Sequence, residues 1–227
     1  MPMHEPTNPW IELPAAPPYV LPSDAPAIVL YNTRAEEQHQ LRLDALPEPF
    51  FGASSAPVVL LGLNPGFDDR DPEVHANPRF QELLRTNYRH GPADFPFYFL
   101  DPRFASPGCA WWERKLNPLL GMFAREEIAR SLLCVEYFPY HSRRFRHATL
   151  QVPSQDYGFR LVASAIMRKA VVVIMRARKL WFTAVPALRA HSLVFTLNSP
   201  QNVVISPRNC PGFEVVVSAI RNGYVHA

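Results

Sequence analysis

The sequence predicts an α/β fold: a single domain with a mainly parallel, four-stranded sheet and helices on both faces. Two observations carry this expectation. Short, continuously apolar, β-branched runs recur at Pro57–Leu63, Leu132–Phe138 and Val171–Met175, as in strands that are covered on both sides. Stretches with helical start and stop signals separate them, which implies crossover connections and parallel pairing. The chain has 227 residues, 48% hydrophobic and 19% charged, enough apolar material for one core and too little charge for a disordered chain.

Eight prolines between Pro2 and Pro26 rule out a regular helix there. Residues 1–30 therefore read as an extended arm held to a body, residues 31–227, through Trp10, Tyr19 and Val20. Thr33 followed by Glu36 is a capping-box pattern and predicts a helix running to Pro47. After the first strand, Asn77-Pro78 supplies an N-cap and a first-turn proline for a helix to Arg89. Further helices are expected over Trp111–Phe123, with a break or kink at Pro118, and over Glu126–Ser131. Beyond the second strand, Ser154 caps a helix to Lys169. The third strand follows, and Ser192–Leu197, Val203–Ile205 or both supply the fourth. A last helix runs from Cys210 to Asn222. No internal repeat is present.

The net charge is only +3, yet it is unevenly distributed. Residues 1–140 hold 11 Lys/Arg against 18 Asp/Glu, a balance of −7, whereas residues 141–191 hold 10 against the single Asp156, a balance of +9. Such segregation is a footprint of a surface that meets a polyanion. No apolar run reaches the roughly 18–20 residues of a membrane helix, and no secretory leader is visible at the N-terminus. The three cysteines, Cys109, Cys134 and Cys210, fit neither a disulfide framework nor a four-cysteine metal site. The expectation is a reduced, cytoplasmic protein with no membrane partner, no metal and no cofactor.

Ligand sites in parallel sheets form outside the carboxyl ends of the strands, so the loops after them matter most. The first, Gly62-Leu63-Asn64-Pro65-Gly66, lacks the spacing of a dinucleotide or phosphate loop. It carries instead an amide at a strand end, able to hold a water or read a base edge, or simply to close a β-turn. The second is Glu136-Tyr137-Phe138-Pro139-Tyr140-His141. The last, Ser206-Pro207-Arg208-Asn209, precedes a helix, so its N–H groups and the Ser206 hydroxyl suit an anion, or merely cap that helix. Arg143, Arg144 and Arg146 surround Phe145 as phosphate tracking with base stacking requires, and Arg176, Arg178 and Lys179, after the third strand, extend the same face if the sheet order brings these loops together.

These loops resemble the uracil-DNA glycosylase superfamily. GLNPG at 62–66 is similar to the first active-site motif of its mismatch-specific and single-strand-selective branches, GINPG or GMNPG. SPRN at 206–209 is similar to the end of HPSPRN in the single-strand-selective branch. The order of strands and loops from Pro57 to Ile220 matches the layout of that superfamily. The resemblance implies that Asn64 positions the attacking water and that Gly62, Leu63, Pro65 and Gly66 shape the base pocket. It places Glu136 where an Asn reads uracil and Val204 where a histidine assists the leaving base. The stacking aromatic falls among Phe95, Phe97 and Tyr98, with Phe97 the candidate. Ser206 and the backbone near Asn209 would hold the leaving base or a phosphate.

Valine cannot donate to a departing base anion, a loss worth about 10²–10³ in rate. An ionised Glu136 would only accept hydrogen bonds and would repel the O4 of uracil, unless an ion pair with Arg143 or Arg144 occupies it. His141 is a second candidate for the missing imidazole. The resulting expectation is a glycosylase-like protein that binds DNA, single-stranded or double-stranded, through Arg143, Arg144, Arg146, Arg178, Lys179 and Arg208. It would hydrolyse the N-glycosidic bond of a flipped, damaged or deaminated base other than plain uracil. The alternative is a catalytically degenerate member that binds nucleic acid or a free base.

Overall fold

A computed structural model describes residues 7–224. Met1–Pro6 of the proline-rich arm, with Pro2 and Pro6, and the last three residues lie outside the described residues. The architecture is α/β, with one mixed five-stranded sheet rather than a four-stranded one. The strands are β1 Phe50–Gly52, β2 Val58–Leu61, β3 Leu132–Val135, β4 Val171–Ile174 and β5 Val194–Thr196, in the spatial order β1-β3-β2-β4-β5. The pairs β3·β2, β2·β4 and β4·β5 are parallel; β1 is antiparallel to β3. Every residue of β2, β3 and β4 is buried, so both faces of the sheet are covered, as their unbroken apolar runs require.

The helices are α1 Ala25–Asn32, α2 Asp71–Ala76, α3 Pro78–Tyr88, α4 Pro107–Leu120, α5 Arg125–Ser131, α6 Gln155–Met167, α7 Arg178–Ala184 and α8 Phe213–Tyr224. Local chemistry sets several of their ends. Asn77 accepts from the Arg79 N–H at the start of α3, and Ser106 accepts from the Cys109 N–H at the start of α4. Pro118 lies inside α4, which continues past it to Leu120 before Gly121 closes the helix.

Four expectations change. The helix from Thr33 to Pro47 is absent: helix α1 ends where it was to begin, because Pro26 opens α1 and the Thr33 hydroxyl turns back to the Leu30 carbonyl. Ser154 does not cap α6 through its hydroxyl, which finds no partner; its N–H donates to Asp24 Oδ1 instead. Of the two candidates for the fourth strand, only the first pairs. The fifth, unexpected strand β1 is a three-residue edge whose Gly52 sits at φ +113° against the Leu132 carbonyl, where no side chain fits.

The described part of the arm is pinned to the body by a few buried side chains. Trp10, Tyr19 and Val20 are all buried. Trp10 packs between Tyr88 and Tyr140 with ring centroids about 6 Å away. Tyr140 in turn donates its hydroxyl to Asp24 Oδ2 at 2.7 Å and accepts the Leu21 N–H at 3.2 Å. The segment from Trp10 to Asp24 is thereby locked to the loop that follows β3.

Candidate functional site

The carboxyl ends of β2, β3 and β4 open into one cavity of about 500 Å³, within the range of small-molecule sites. Parallel register brings this about: Leu61, Val135 and Ile174 are paired neighbours, so Gly62 and Glu136 leave the sheet side by side, with Arg176 one residue further along its own strand. All three line the cavity, together with Leu63, Asn64, Pro65 and Gly66 of the GLNPG turn.

Asn64 is fixed by its amide nitrogen. Nδ2 donates to the Pro65 carbonyl at 2.8 Å and to Ser142 Oγ at 3.0 Å. With both hydrogens committed, Oδ1 is the atom left to accept from a molecule in the cavity. The bond to Ser142 spans 78 positions of sequence, which goes beyond closing a local turn. Gly62 is held from the other side, its carbonyl accepting from the Trp181 indole of α7 at 2.7 Å.

Glu136 occupies the volume that any side chain at position 62 would need. The residue as a whole retains some exposure, but its Oε2 is sealed and has no partner. Burial pushes the carboxyl up to about 8, with Arg176 pulling the other way. At neutral pH the group is therefore mainly protonated, a donor as well as an acceptor. Its position after β3 suggested an ionised group, paired with Arg143 or Arg144 if paired at all; neither pairs with it. The cation beside it is Arg176, whose Nε is also buried without a partner. From sequence Arg176, two residues past the end of β4, is expected only as part of the basic face with Arg178 and Lys179.

Beneath the turn lie Glu48, His75 and His141, all buried, with potential ligand atoms within 4.8 Å of one another. His141 Nδ1 lies 2.6 Å from the Gly66 carbonyl and Nε2 2.9 Å from that of Leu46; a neutral ring donates only one of these bonds, and both together need the imidazolium. His75 Nδ1 accepts from the Leu46 N–H at 3.0 Å, which leaves the hydrogen on Nε2, facing Glu48 at 4.0 Å. Burial lowers both imidazoles, against the lifting effect of the two carbonyls on His141, and raises Glu48 well above the usual carboxylate range. His141 lines the cavity, between the GLNPG turn and Leu46.

Other sequence candidates lie elsewhere. Ser206 does not line the cavity, and its carbonyl accepts the Asn209 and Cys210 N–H groups, so these donors are spent within the loop. Asn209 is a staple: Oδ1 accepts from the Ser199 N–H, and Nδ2 donates to the Asn202 and Val204 carbonyls. Val203 is what that loop gives to the cavity. Phe97 is fully buried, edge-on to Phe51 and Trp112 at 5.0 Å; the aromatics that reach the cavity include Phe51, Phe67, Phe99 and Trp111. Phe67 directly follows the motif, with the Arg42 guanidinium 4.0 Å from its ring centre.

The arginine candidates divide. Arg143 pairs with Asp69, and Arg146 reaches Glu36 at 3.6 Å. Arg144, Arg178, Lys179 and Arg208 are exposed and make no ion pair among the described residues. Arg178, Lys179 and Arg189 line a groove that contains no carboxylate and shares Met175 and Arg176 with the cavity. No helix of the described residues is long and apolar enough to cross a membrane. Comparison with protein families, with curated proteins and with solved structures gives no match for this chain.

Proposed function

We propose that the protein binds nucleic acid and hydrolyses the N-glycosidic bond of an extruded, deaminated base, in the manner of the uracil-DNA glycosylases its motifs resemble. The observation that carries this is the meeting of Asn64 and Glu136, from loops 72 residues apart in sequence, in one cavity with a cationic groove at its edge. A base inside a duplex is out of reach, so the target is single-stranded or flipped into the cavity.

Asn64 Oδ1 accepts a hydrogen bond from water and orients its oxygen toward the sugar C1′. The C–O bond forms as the C1′–N bond breaks; the bonding pair leaves with the base, and the proton lost by water is balanced by protonation of the base. A protonated Glu136 adds no negative charge beside that leaving group, and Arg176 offsets the charge it carries. This replaces the roles given from sequence to Ser206 and to the backbone near Asn209. Arg178, Lys179 and Arg189 track the flanking phosphates.

Two features favour the second reading, a member that binds without cutting: Val204 stands where the resembled motif has its histidine, and the SPRN loop is closed on itself. Incubation with oligonucleotides bearing uracil, hypoxanthine, xanthine or an alkylated base separates the two. Abasic product from at least one of them is expected. Binding to all of them with no abasic product would leave only the binding function.

A further inference from the structure

Cations gather without counter-ions where α4 meets the strand-end cavity. Beside the GLNPG turn the acids of the cavity are already engaged: Asp68 pairs with Arg70 at 2.8 Å, and Asp71 accepts the Asp68 N–H at 2.6 Å. At α4 and the end of β4 the balance is reversed. Arg114 is exposed and Arg176 partly so; both line the cavity, and neither makes an ion pair or a side-chain hydrogen bond among the described residues. Lys115, the next residue of α4, donates Nζ to Asn202 Oδ1 at 3.3 Å and sits 5.4 Å from the Trp111 ring centre, which leaves further ammonium hydrogens to give. Its carbonyl accepts the Ile205 N–H at 2.9 Å, so this turn of α4 is fixed against the segment before Ser206. Glu113, adjacent in sequence, is taken by Arg125 at 2.6 Å. Burial, and then the charges of Arg114 and Arg176, hold the Lys115 ammonium below the usual lysine value. Like charges brought together disfavour one another, and an anion among them relieves that cost.

We infer that Arg114, Lys115 and Arg176 form a phosphate subsite at the edge of the cavity, distinct from the groove along α7, so that the occupant is held as a nucleotide by its phosphate. The nucleic-acid reading above supplies only what that phosphate is attached to. A guanidinium offers paired N–H donors to two phosphate oxygens, and an ammonium acts as a point charge. The cavity, at about 500 Å³, is of small-molecule size, and Trp111 gives its occupant a flat apolar face beside the cluster. Glu48 and Glu136, the buried acids of the cavity, are both raised by burial and so oppose an anionic ligand little at neutral pH. The phosphate is either the terminal group of a free mononucleotide or a diester within a strand, since both present the same anionic oxygens.

Calorimetric titration of the intact protein with inorganic phosphate at low salt tests the subsite without base recognition or bond cleavage. One saturable site is expected, and Arg114→Ala and Lys115→Met should each weaken it about tenfold or more, as for the loss of one charge-assisted hydrogen bond. Arg130→Ala removes the same charge from an exposed position of α5 that does not line this cavity, and should leave the affinity unchanged. Competition then identifies what carries the phosphate. Displacement by deoxyuridine 5′-monophosphate, with deoxyuridine much weaker, supports a free mononucleotide; displacement by a single-stranded oligonucleotide without terminal phosphates, and not by the monophosphate, supports a strand. No saturable binding at millimolar phosphate, an equal loss in Arg130→Ala, or displacement by neither nucleotide nor oligonucleotide would each overturn the assignment. Phosphate binding with the expected pattern in a protein that releases no base would instead count against hydrolysis alone.

Discussion

Glu136 has the most unusual surroundings of the residues in the site, and its protonation makes a stability prediction. Its carboxyl group titrates near 8 in the fold and near 4.3 in an unfolded chain. Between those values the folded state binds more protons than the unfolded one, so this group makes stability fall as pH rises through that window, with the full cost present above about 8. The effect is on the order of a few kcal/mol at most, since the residue keeps some exposure. Glu136→Gln should melt close to wild type at pH 5 and several degrees higher at pH 8.5. Thermal denaturation across that range reads it; parallel curves for the two proteins would show that the carboxyl group is not the buried acid described. Glu48, raised in the same direction by burial, retains part of the slope in the variant. The sequence places Glu136 after a strand but says nothing about its protonation, because that depends on Gly62 and Arg176 from two other strands. Asn209 shows the opposite error: its motif looked like a ligand loop, whereas its amide turns inward to hold the loop.

Among the elements, those with a local signal were legible. Asn77-Pro78 starts α3 as expected, and the run Val58–Leu61 forms the central strand. What escaped was short or decided by distant partners. Strand β1 has three residues and no periodicity, and pairs because Phe50 and Phe51 are needed in the core. The Thr33 box failed because a proline seven residues earlier had already opened a helix. The arm was legible through its aromatics, and its burial yields a second prediction. Trp10→Ala should cost about 3–5 kcal/mol, as for a large aromatic removed from a packed site, measured by urea denaturation; a change under about 1 kcal/mol would mean that the arm merely lies on the surface. At the edge strand, Gly52→Ala should destabilise by about 1–3 kcal/mol, since its positive φ and the nearby Leu132 carbonyl leave no position for a methyl group.

For the whole molecule, the separation of charge along the sequence survives only in part. The acidic first half folds back on the basic loop, so Asp69 and Glu36 engage Arg143 and Arg146, while the groove lined by Arg178, Lys179 and Arg189 keeps its cations free of carboxylates. Net charge by segment was readable from sequence; which cations remain available was not, because it depends on which acids fold against them. Binding to single-stranded DNA should therefore weaken steeply with salt, and Arg178→Ala/Lys179→Ala should reduce the slope of log K against log salt by about 0.7 for each phosphate no longer neutralised. Arg143→Ala should change it less. A slope unaltered by the double substitution would move the nucleic-acid surface away from α7.

The strand-end cavity is the centre of the proposed chemistry, and single-turnover base release from one oligonucleotide substrate by wild type, Asn64→Ala and Ser206→Ala examines it most directly. Asn64→Ala should slow the reaction by about 10²-fold or more, the scale on which a group that positions the attacking water contributes, whereas Ser206→Ala should react like wild type. Full activity in Asn64→Ala together with an inactive Ser206→Ala would contradict the placement of the reaction in this cavity.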